Sequence, residues 1–129
     1  MNMLCRALSG ISIRGNTIVV SFSLSEADCV VTGLRALYFG AADKVCFAHR
    51  DNSHKLTLSR DGCASIVCAG EKHTFSVSEN DIEAIEKMLI EFILGIAFSG
   101  RHTDIEILCP DGKKDCVFKV DTAESGDVL

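Results

Sequence analysis

The sequence predicts an α+β domain in two layers: an antiparallel sheet, a meander of hairpins, with two helices packed on one face, in the order ββ-α-ββββ-α-ββ. Three observations predict it. Most segments alternate apolar and polar residues with a period of two, the signature of a half-buried strand. Turn-forming residues recur between those segments at short intervals. Two stretches switch to apolar spacings of three and four, which is helical.

The first hairpin spans Ile11–Leu24. Ile11 and Ile13 alternate with Ser12 and Arg14, and Ile18, Val20, Phe22 and Leu24 alternate with Thr17, Val19, Ser21 and Ser23. Gly15-Asn16 supplies a II′-type turn. A helix over 26–39 follows, with Ala27, Val30, Val31, Leu34, Leu37 and Tyr38 on one face. Ser25 is its expected cap, Asp28 stands at the box position, and Gly40 ends it. A short strand at Cys29–Thr32 competes, because Val-Val-Thr favours strands and Gly33 disfavours helices.

Four strands are expected near 44–49, 54–59, 63–68 and 73–77. Their turns are Arg50–Ser53, Arg60–Gly62 and Ala69–Lys72. A second helix is expected over 79–99. Ser78 and Asp81 form its capping box, acidic residues fill its first turns, and Gly100 is its C′ residue. A closing hairpin turns at Pro110-Asp111-Gly112, with Ile105, Ile107, Cys109, Cys116, Phe118 and Val120 on its inner face. The domain runs over 1–121. The segment 122–129 loses apolar periodicity and reads as a frayed acidic tail.

The chain has 129 residues, 47% hydrophobic and 24% charged, a globular composition for one domain. No apolar run reaches the roughly 18 residues of a membrane helix. The formal net charge is −5, which argues against binding nucleic acid through a basic footprint. The start, MNMLCRALSG, lacks the apolar core of a secretory signal. Seven cysteines, an odd number, sit mostly in strand-like runs and read as buried free thiols in a reducing, cytoplasmic setting. Cys63-x4-Cys68 and Cys109-x6-Cys116 are not zinc spacings, so no metal and no cofactor are expected.

No nucleotide-binding, nucleophile-elbow, zincin or EF-hand pattern occurs, so no catalytic residues are assigned. His49 and His54 flank one turn and could meet across a hairpin. With Cys46 they would suggest a metal or Cys/His pair, although no third, orienting residue is apparent.

The second helix carries the main anomaly. Its sheet-facing stripe is Ile82, Ile85, Met88, Leu89, Phe92, Ile93 and Ile96. The opposite side begins with Glu79, Glu83, Glu86 and Lys87 but ends with Ile90, Leu94, Ala97 and Phe98. A helix apolar all round must be covered on all sides. Either the last hairpin or the N-terminal segment wraps this end, or Ile90, Leu94 and Phe98 form a contact with another protein. Residues 78–100 hold five acidic residues and one basic, a net −4. Such a face can steer a basic partner.

Three functions are therefore weighed. The leading one is a small acidic binding or inhibitory protein, of the general type of immunity proteins that neutralise basic toxin domains, with Glu79, Glu83, Glu86, Ile90, Leu94 and Phe98 as its docking residues. The analogy is one of class, with no shared motif. The others are a small-molecule binder or enzyme with a pocket between sheet and helices, and a homodimeric structural subunit.

Overall fold

The computed structural model describes residues 2–98 and 100–122. The strands are β1 (Asn2–Cys5), β2 (Leu8–Arg14), β3 (Thr17–Ser23), β4 (Lys44–Ala48), β5 (His54–Ser59), β6 (Cys63–Cys68), β7 (Glu71–Ser76), β8 (His102–Cys109) and β9 (Gly112–Asp121). The helices are α1 (Ala27–Tyr38) and α2 (Glu79–Ile93), with a single 3-10 turn at Leu24–Glu26. The α+β class and the element order follow expectation, with β1 added in front. The expected tail at 123–129 lies outside the described residues.

All nine strands form one sheet, ordered β1-β4-β5-β6-β7-β8-β9-β3-β2. It is mixed, which corrects the expectation of a purely antiparallel meander. β4 to β7 do pair as consecutive antiparallel neighbours. However, β1 runs parallel to β4, and β3 runs parallel to β9. Both parallel contacts join segments far apart in sequence, so no hairpin signal reports them. The two halves of the sheet meet at β7 and β8 through one registered pair, Ser76 with Leu108.

Alternation explains the core. In β8 every second residue from Thr103 to Cys109 is buried, and the residues between are exposed. Phe22, Phe47, Phe118, Leu56 and Ile66 are fully buried. The Phe22 ring meets Phe47 edge-on with centroids 5.7 Å apart and stacks on Phe118 at 6.2 Å. β3 and β4 lie near opposite ends of the strand order, so this contact requires the sheet to curl. The Cys68 Sγ contact to the Ile11 carbonyl, 3.3 Å, spans the same curl between β6 and β2.

α1 is a helix throughout, and Gly33 explains why a poor helix former sits in its middle. A Cβ on Gly33 would lie 3.0 Å from Val45 Cγ1 and 3.3 Å from Phe47 Cε1. The glycine lets α1 press onto β4. A Gly33→Val variant is expected to lose about 2–3 kcal/mol in urea unfolding, because the overpacking outweighs any gain in propensity.

The expected Ser25 cap is not used. The 3-10 turn occupies that position, Glu26 is the N-cap of α1, and no side-chain cap bond forms there. At its other end, Arg60 Nη1 donates to the carbonyls of Leu37 and Tyr38, a cation placed where the helix dipole is negative.

The α2 capping box forms as expected: the Asp81 amide donates to Ser78 Oγ at 3.1 Å, and the Ser78 amide to Asp81 Oδ2 at 3.0 Å. The far end does not follow expectation, because α2 stops at Ile93 rather than near 99. Gly95 takes φ +74°, its amide reaches the Phe92 carbonyl at 3.1 Å, and the Ile96 amide reaches the Glu91 carbonyl at 3.0 Å. These are the paired bonds of a Schellman motif, with Gly95 at C′.

Cys5 and Cys29 are joined as a disulfide across 24 residues, tying β1 to α1, which corrects the expectation of seven free thiols. Cys46, Cys63, Cys68, Cys109 and Cys116 are free. Closing a loop of that length restricts the unfolded chain by about 3 kcal/mol. Addition of a phosphine reductant should therefore lower the melting temperature by roughly 10 °C. An unchanged melting curve would show that this bond adds no stability.

Candidate docking surface and cavity

The predicted site residues fall into two groups along α2. Glu79 is exposed in the first turn. Glu83 accepts a hydrogen bond from the Tyr38 hydroxyl at 2.9 Å, and Glu86 forms an ion pair with Arg35 at 3.4 Å. The pairing order shows that α1 and α2 run antiparallel. The Glu83 carboxylate also pushes the Tyr38 hydroxyl pKa upward, with Glu79 and Glu86 adding to the effect. Two of the three predicted docking carboxylates are therefore engaged with α1 and are less free to meet a partner than the sequence suggested.

The apolar group behaves differently. Ile90 is half-buried. Beyond it Ile93 is 47% exposed, Leu94 66%, Ile96 66% and Phe98 81%. The expected core stripe thus holds through Ile82, Ile85, Met88 and Leu89, with Phe92 packed partly against it, and fails at Ile93 and Ile96. Ile93 is the last residue of α2 and stands exposed at its end, whereas Ile96 lies past the stop at Gly95, where the chain no longer follows the helical wheel. Neither the closing hairpin nor the N-terminal segment covers this end among the described residues. Arg101 Nε binds Glu91 Oε1 at 2.9 Å and fastens the segment that leads into β8.

His49 and His54 do meet across their turn, with ring centroids 6.0 Å apart in an edge-on arrangement. Cys46 is not brought to them, since strand alternation places it on the face opposite Val45 and Phe47. His49 Nδ1 lies 2.7 Å from Asp51 Oδ1. Asp51 also accepts from the Ser53 hydroxyl and amide, and these bonds, with His49, hold its carboxyl well below the usual range. Among the described residues no group of three or more His, Cys, Asp or Glu is placed to hold a metal ion. Burial pushes the Cys116 thiol up to about 12, which keeps it protonated and unreactive at neutral pH.

The sequence reading missed one feature. A cavity of about 480 Å³ opens between the β1–β2 link, the 3-10 turn and the β4–β5 turn. Arg6, Ser23, Ser25, Glu26, His49 and Arg50 line it. These residues come from three separated segments, and among them only His49 is weighed as a site residue in the sequence.

No protein-family model, no curated protein and no solved structure matches this chain. No helix among the described residues is long and apolar enough to cross a membrane.

Proposed function

We propose that this chain is a binding protein that docks another protein, of basic character, through the exposed end of α2 and the turn that follows it. The observation that carries the reading is the exposure of Ile93, Leu94, Ile96 and Phe98 within six residues of chain. Large apolar side chains left in water forfeit about 1.5–3 kcal/mol each, so a cluster of them marks a surface meant to be covered. The formal net −4 over residues 78–100, partly offset by Arg35 on Glu86 and Arg101 on Glu91, supports a basic partner. An inhibitory, immunity-type role suits this combination, with Glu79 as the freest acidic contact and Leu94 and Phe98 as apolar anchors.

The test is affinity capture from the native host with the wild-type chain and with a Leu94→Asp/Phe98→Asp variant. One basic protein should be retained by the wild type, lost with the variant, and released at salt on the order of 0.5 M. Equal retention by the variant would refute the reading. Self-association removed by the same substitutions would replace it with a homodimer.

A further inference from the structure

We propose that the cavity bounded by the β1–β2 link, the 3-10 turn and the β4–β5 turn binds a small oxyanion, a phosphate or carboxylate group, clamped between Arg6 and Arg50. The volume of about 480 Å³ falls in the range of small-molecule sites. Its charges are what set it apart. Among the described residues neither Arg6 nor Arg50 has a carboxylate within 4.0 Å; Arg14 and Arg60 share that state, but only Arg6 and Arg50 line one cavity together. Arg6 and Arg50 reach this cavity from two different segments, the β1–β2 link and the β4–β5 turn, and each presents a planar fork suited to two oxygens at once.

The surroundings fix the clamp. Arg6 Nη1 donates to Asn52 Oδ1 at 2.6 Å, which ties the β1–β2 link to the β4–β5 turn and leaves its remaining N–H groups available. Arg6 follows Cys5 directly, so the disulfide to Cys29 anchors it from the other side. His49 is oriented by Asp51 at 2.7 Å, which leaves Nε2 as the ring's other polar atom. The Ser23 side chain makes no cap bond, so its hydroxyl remains available as a donor. Glu26 is the one acidic residue that lines the cavity.

The site shares no residue with the apolar turn after α2, so the two proposals succeed or fail separately. Isothermal titration with inorganic phosphate and, separately, with acetate tests it and distinguishes the two sources of oxyanion. Binding of at least one, at millimolar affinity or tighter, is expected. It should weaken tenfold or more in Arg50→Ala and in Arg6→Ala. It should stay unchanged in Arg14→Ala, which removes an exposed arginine at the far end of β2. Circular dichroism of each variant confirms that the fold is intact. No heat of binding with either anion at 10-fold millimolar excess, or equal loss in Arg14→Ala, would overturn the proposal.

Discussion

Truncating Phe22 to alanine is expected to lower the unfolding free energy by about 3–5 kcal/mol, the cost of emptying a fully buried aromatic site. Phe22 is 1% exposed and touches rings from two other strands, Phe47 on β4 and Phe118 on β9. Those strands stand far apart in the sheet order, so the loss falls on the curl itself as well as on packing. Urea denaturation followed by far-UV circular dichroism measures it. The midpoint should fall sharply, and the slope should change if the two halves of the sheet, joined at β7 and β8 by one registered pair, begin to unfold separately. A loss under about 1 kcal/mol would mean that the neighbouring side chains collapse into the space and that the aromatic contact does not hold the curl.

The second large effect is on binding. Leu94→Asp and Phe98→Asp should each weaken partner binding by about 30-fold or more, the scale of a hot-spot anchor losing about 2 kcal/mol. Stability should stay within about 0.5 kcal/mol of the wild type, because both side chains already face water. This split separates a docking role from a packing role. Reversing the charges of Glu83 and Glu86 is a poorer test, since those carboxylates hold Tyr38 and Arg35 on α1.

Much of the fold was legible from local pattern. Ser78 with Asp81, the Gly15-Asn16 turn and the alternation of β8 each act over a few residues, and each appears where it was expected. The parallel pairings of β1 with β4 and β3 with β9 were not legible, because nothing within a strand names a distant parallel neighbour. The early end of α2 was readable in principle. Gly95 carries a C′ signal in the sequence, but the apolar residues that continue beyond it to Phe98 mask that signal. The Arg6–Arg50 cavity was invisible because its walls come from segments that only the tertiary fold unites. Gly33 shows the reverse case, in which a residue that argued against a helix is required by the packing of that helix on β4.

The central claim is that the segment Ile93–Phe98 is covered by another protein. Replacing Phe98 with a photo-crosslinking phenylalanine analogue in the native host tests it most directly, with the same analogue at exposed Glu71 as control. The account predicts one dominant adduct at position 98, with a basic protein, abolished by Leu94→Asp in the same chain. Labelling at position 98 no stronger or more selective than at position 71 would contradict it.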